Sequence, residues 1–187
     1  RDQFKAPKST IVQIKMEGKV AVEDALRYLK DARADVKTGY HPLESDFSLV
    51  PSVPLTLSSS DHAFDVGQVG IASHESSNGD SPSDRISRYC CWKEACSEVI
   101  YYGSLDGGEQ KSLHDIAQDV IDELIIDDGV ESRGHRLALF DGRFQIGGVG
   151  VAPHSVYGNV VVVNLAAGTL EDDDVTEGET IVVREGE

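Results

Sequence analysis

The stretch Asp127-Asp128-Gly129-Val130-Glu131-Ser132-Arg133-Gly134-His135-Arg136 lies between an amphipathic helical segment and a glycine-rich apolar one, and its two flanks decide the fold. Upstream, Ser112 with Asp115 three residues later forms a capping-box signature. Leu113, Ile116, Ala117, Val120, Ile121 and Leu124 then keep a 3.6-residue period, which predicts a helix over Ser112–Ile126 with one core face, ended by Asp128-Gly129. Downstream come two β runs, Phe144–Val151 and Val156–Leu165. The second carries Val160-Val161-Val162-Val163 without polar interruption, the pattern of a strand buried on both faces. The connecting stretch itself holds carboxylates, two guanidiniums and a Gly-flanked imidazole. Binding groups concentrate on such segments when rigid elements hold them.

Toward the N-terminus, Val22, Ala25, Leu26 and Leu29 predict a helix from Val20 to about Ala34, ended by Gly39 and Pro42. Thr10–Met16 alternates and reads as a short strand or an ordered arm. The prolines of Pro51–Ser58 favour an extended segment, with Ser58 or Ser59 capping a helix that runs to about Gly70. Residues 73–84 have loop composition, with Ser83 capping a single turn through Arg85-Ile86, and a strand over Glu98–Tyr102 stops at Gly103. Near the C-terminus, Glu171-Asp172-Asp173-Asp174 reads as a solvated turn and Thr180–Val183 as a short alternating run. The acidic patch lacks the glycine and closing Glu positions of an EF-hand loop. No internal repeat or interdomain linker appears, so a single core is expected.

The 187 residues carry 17 Lys and Arg against 33 Asp and Glu, a formal charge of −16. Such a field repels phosphate backbones and anionic headgroups, so nucleic acid is not expected as a partner. Hydrophobic content of 40% and charged content of 27% fit a globular protein, and no apolar run reaches the ~20 residues of a membrane helix. The chain opens at Arg1-Asp2-Gln3-Phe4 with neither an initiator Met nor an apolar leader, as in a processed product or a chain whose leader was removed. Its three cysteines, Cys90, Cys91 and Cys96, lie within seven residues and exclude a long-range disulfide framework. A short bridge from Cys90 or Cys91 to Cys96 stays open. A zinc knuckle is the weaker reading, since three adjacent thiols do not surround an ion unaided.

His135, between Gly134 and Arg136, can ligate a metal or relay a proton, and Gly134 lets the backbone approach a cleft. His74 follows the second helix with Glu75 beside it. Glu98 opens an otherwise apolar strand and needs a partner, for which a histidine is a common choice. His62 reads as a packed or exposed helical histidine, and His154 and Tyr157 either line the cleft or serve a turn. Arg133 and Arg136 are expected to pair with Asp127, Asp128 or Glu131. Gly148-x-Gly150 lacks the third glycine and following helix of a dinucleotide site, and no nucleophile elbow, His-Glu-x-x-His or P-loop is present, so no nucleotide cofactor is expected. A Cys96–His135 thiol pair has no visible orienting residue.

Asp-Asp-Gly-Val-x-x-Arg-Gly-His-Arg over 127–136, followed by Leu139-Phe140, Ile146-Gly147-Gly148-Val149-Gly150, His154 and Tyr157-Gly158, resembles the CAP superfamily of sperm-coating-protein-like domains. The resemblance covers roughly residues 20–167. It implies an α+β fold, a three-layer α-β-α sandwich around a mostly antiparallel sheet, and a cleft shared by two His and two acidic residues. Onto that pattern fall His74 before Asn78-Gly79, Glu98 in Ser97-Glu98-Val99-Ile100-Tyr101-Tyr102-Gly103, and His135 in Gly134-His135-Arg136. The second family Glu has no clean counterpart, and Asp127 or Asp128 is the nearest acidic substitute. The family's conserved disulfides are absent.

The resulting expectation is an N-terminal arm (1–19), a CAP-like domain (20–167) and an acidic C-terminal extension (168–187), located outside the cell or on its surface. Its role is expected to be binding rather than catalysis, with a divalent cation, zinc first, held by His74, His135, Glu98 and Asp128. A protein partner or a small apolar ligand fits the same reading. Two alternatives stand beside it. One is a metal-assisted hydrolase in which His74 and His135 hold the ion and Glu98 is general base. The other is a structural subunit of a larger assembly, docked through its terminal extensions, with a vestigial cleft.

Overall fold

The all-valine run is the centre of the sheet, in a computed structural model that describes residues 19–32, 49–105 and 112–167. Strand β4 (Gly158–Ala167) pairs antiparallel on one side with β2 (Ala95–Gly103) and on the other with β3 (Ile146–His154). The two-residue β1 (Val50–Pro51) adds in parallel to the start of β3, giving the order β1-β3-β4-β2. The elements read at Thr10–Met16, 171–174 and 180–183, the helix-ending Gly39 and Pro42, and both terminal extensions lie outside the described residues.

Strand alternation then assigns the layers. Val160 and Val162 pack with Ala63 and Val66 of α2 (Val53–Val69), while Ala166 packs with Leu55 of α2 and Ile86 of α3 (Pro82–Tyr89). On the opposite face Val161, Val163 and Leu165 meet Val99, Phe144, and Val120 and Leu124 of α4 (Leu113–Ile126). The α+β three-layer arrangement with a mostly antiparallel sheet follows from this division. A helix α1 (Lys19–Ala32) and a short α5 (Gly134–Leu139) border α4.

Helix α2 lies close on β3 because Gly148 and Gly150 have no side chain. A Cβ on Gly148 would stand 2.1 Å from the Thr56 backbone nitrogen, and one on Gly150 would stand 2.3 Å from the Ser59 carbonyl carbon. The paired glycines thus serve helix–sheet packing.

Several boundaries differ from the sequence reading. α2 begins at Val53, with Ser52 as N-cap, because Pro54 falls in the first turn, where no intrahelical N–H bond is required. Pro82–Tyr89 forms a true helix, α3: the N-cap Ser81 hydroxyl and the Asp84 carboxylate cap it reciprocally, a box hidden in a loop-like composition. β3 runs on through Pro153 to His154, tolerated because only residues 146–147 of β3 pair with β1 and, among the described residues, no strand pairs with that side of its remaining length. In α4, Val120 and Leu124 are buried, whereas Leu113 is 87% exposed, so only the C-terminal half of its apolar face reaches the core.

Candidate functional site: two carboxylate-fixed imidazoles

Glu98 takes the β2 face opposite Val99 and therefore points under α2 and α3, where its side chain is 1% exposed. Its Oε2 accepts from Arg85 Nη2 at 2.7 Å. Because a carboxylate only accepts, the neighbouring Asn164 carboxamide turns its nitrogen to Oε2 at 3.0 Å, and its oxygen accepts from the Ser58 and Ser59 hydroxyls at 3.1 and 3.2 Å. Oε1 receives His74 Nδ1 at 3.0 Å. His74 is half exposed, and its Nε2 makes no hydrogen bond to any described residue.

A second tier holds Arg85. Its Nη1 donates to the Asp80 carbonyl at 2.9 Å and to Ser76 Oγ at 3.1 Å. The Ser76 hydroxyl then faces His62 Nδ1 at 3.3 Å, and His62 Nε2 donates to the Ser73 carbonyl at 3.0 Å. The Ser73 carbonyl only accepts and therefore puts a proton on His62 Nε2, so that in the neutral ring Nδ1 accepts from the Ser76 hydroxyl. Burial lowers the His62 pKa, and the nearby Arg85 adds to this, against the attraction of Glu98, whose Oε1 lies 3.7 Å away.

The folded state therefore binds fewer protons at His62 than the unfolded chain does. Stability is complete above the ordinary imidazole value of 6.5 and declines as pH falls from there toward the lowered folded value. Denaturation midpoints measured between pH 8 and pH 5, in the wild type and in His62→Gln, are expected to fall less steeply in the variant. Parallel curves would remove His62 as a source of the dependence.

The second imidazole is set from the other helical layer. Asp127, in the left-handed conformation (φ 55°), is the C-cap of α4. Its carboxylate accepts the His135 backbone N–H at 2.9 Å and His135 Nδ1 at 2.7 Å. Arg133, also left-handed (φ 52°), offers no side-chain cap to α5, and the Asp127 carboxylate takes the place of one. Again the carboxylate is buried, at 1% exposed, the imidazole is a quarter exposed, and Nε2 makes no hydrogen bond to any described residue.

The Arg136 guanidinium does not pair as expected with the acidic side chains of its own stretch. Arg136 Nε and Nη2 donate to the Ile125 and Ile126 carbonyls at 2.6 and 2.8 Å, covering the open end of α4. Its Nη1 reaches Asp24 of α1 at 3.0 Å, and Arg133 Nε stands 3.4 Å from the same carboxylate. Arg133 Nη1 donates to the Asp127 and Val130 carbonyls. Asp24, hydrogen-bonded by Arg27 and Arg136, is held at about 2. The reason is geometric: helix-end carbonyls are fixed acceptors within reach, and α1 brings a carboxylate from more than 100 residues away.

Of the sequence candidates, His74 joins Glu98, while His135 joins Asp127 and not the half-buried Asp128. Among the described residues no group of three or more His, Cys, Asp or Glu is arranged to hold a metal ion. His154 serves the turn: its Nδ1 accepts the Val156 and Tyr157 backbone N–H groups and its Nε2 donates to the Ile71 carbonyl. Sequence reasoning missed Arg85, Asn164 and the role of His62. The Ser81–Asp84 box could have placed Arg85 on a helix, and Asn164 is a polar break in a strand buried on both sides.

Two solved structures are similar to this chain. An extracellular protein containing an SCP domain, from Bacillus anthracis str. Ames, is 20% identical, with a TM-score of 0.47 over 64% of this chain and 33% of that one. The chain thus spans about a third of that protein. An outer surface protein from Borrelia burgdorferi is 17% identical, with a TM-score of 0.48 over 81% of this chain and 95% of that one. No protein-family model matches the sequence, and no curated protein does.

Proposed function

We propose that this chain is a divergent CAP-like binding domain of the cell surface or extracellular space, in which His74 and His135 together hold a divalent cation, zinc first, through Nε2. One observation carries the reading: each imidazole has its Nδ1 engaged by a buried carboxylate, Glu98 or Asp127. That arrangement fixes the tautomer and ring direction and raises the donor strength of the outward nitrogen, as in carboxylate–histidine–metal triads. Glu98 and Asp127 orient, and the imidazoles bind. Two imidazole donors suit an exchangeable site, since a closed structural zinc takes four protein ligands.

Binding ranks above hydrolysis because Glu98 is 1% exposed in its side chain and is engaged by Arg85, Asn164 and His74. A general base needs an oxygen within reach of a substrate water, and burial denies Glu98 that access. Titration calorimetry with zinc on the wild type, His74→Ala and His135→Ala tests the reading. Heat is expected from the wild type alone, weakening as pH is lowered because protonated imidazole has no lone pair to donate. Equal heats from wild type and either variant would remove that histidine from the site.

A further inference from the structure

We propose that Cys90 and Cys96 form a disulfide that locks α3 to β2, while Cys91 stays free. Cys90 is the C-cap of α3, its backbone N–H bonded to the Ile86 carbonyl, and Cys96 is the second residue of β2, paired with Ala166. Both side chains are half-buried and pack onto one small cluster, Leu55, Ile86 and Ala166, whereas Cys91 is exposed. The two thiols therefore share a wall of the core despite belonging to different elements. Cys96 precedes Glu98 by two residues on the same face of β2, and Cys90 follows Arg85 by five on α3. A bridge here ties together the two elements that carry the buried Arg85–Glu98 ion pair.

The thiols suit a structural bond better than a reactive one, since burial pushes both the Cys90 and Cys96 thiols up. The step needs an external disulfide oxidant of low molecular weight. A thiolate attacks it and displaces one thiol, then the second cysteine attacks the mixed disulfide and displaces the other. One intramolecular S–S bond forms, the oxidant's S–S bond is reduced, and two thiols leave carrying the two protons. In the organism this rests on the extracellular or surface location proposed above. In vitro it depends on the chain alone, so a failure there speaks against the bridge and not against the location.

Trypsin cleaves after Lys93, between the two cysteines, so the bridge joins Tyr89–Lys93 to Glu94–Lys111. The folded protein is incubated with oxidised glutathione, alkylated, digested and weighed before and after reduction. Wild type and Cys91→Ser are expected to give the linked pair, with Cys90→Ser and Cys96→Ser giving none. The oxidised wild type should also melt several degrees above its reduced form, a difference absent in Cys90→Ser. Three alkylated thiols, a Cys90–Cys91 bond, or a linked pair that survives Cys90→Ser in wild-type yield would each overturn the assignment.

Discussion

Replacing Arg85 by Ala is expected to destabilise the fold by about 3–5 kcal/mol, the cost of leaving one member of a buried ion pair without its partner. Arg85 and Glu98 are each 1% exposed in their side chains and meet at 2.7 Å. Truncation leaves Glu98 with Asn164 and His74 but without a compensating full charge. It also removes the donors to Ser76 and the Asp80 carbonyl, and with them the support of His62. The double variant Arg85→Met/Glu98→Leu removes both charges and should recover most of the loss, since apolar groups of similar volume often replace such pairs at little cost. Denaturant midpoints for the three proteins check both statements. A single variant as stable as wild type would mean that the pair is not buried in solution, and the polar cluster would lose its structural role.

Leu124→Ala is the second large effect, about 2–5 kcal/mol out of the ~5–15 kcal/mol typical of a domain. Leu124 is 4% exposed and shares a cluster with Val99, Val120, Phe144, Val161, Val163 and Leu165, so the cavity opens between α4 and the sheet. The C-terminal end of the same helix presents Asp127 to His135. A looser α4 should therefore raise amide exchange through residues 127–136 as well as lower the midpoint. If the midpoint stays at the wild-type value, α4 is peripheral and the three-layer arrangement fails.

Much of this molecule follows from local pattern. The α4 period with its Ser112–Asp115 box, the unbroken valines of β4 and the glycines of β3 are short-range signals, and each corresponds to an observed element. The residues His74, Glu98 and His135 were also legible as chemistry, because a carboxylate in an apolar strand and a Gly-flanked imidazole both require explanation, whereas the acid beside His135 is Asp127 and not the Asp128 that the sequence reading chose. Boundaries were less legible at α2 and α3, where proline and serine are equally at home in a loop and in the first turn of a helix.

What tertiary structure alone decided is the set of partners. Arg136 meets Asp24, Arg85 meets Glu98, and Asn164 turns toward the same carboxylate, across separations that no periodicity encodes. Pattern specifies which face of an element is apolar, since burial acts on each residue through its neighbours at fixed spacing. A buried polar group is satisfied instead by whatever donor the packed layers bring within about 3 Å. That choice exists only once α2, α3 and α4 have closed on the two faces of the sheet.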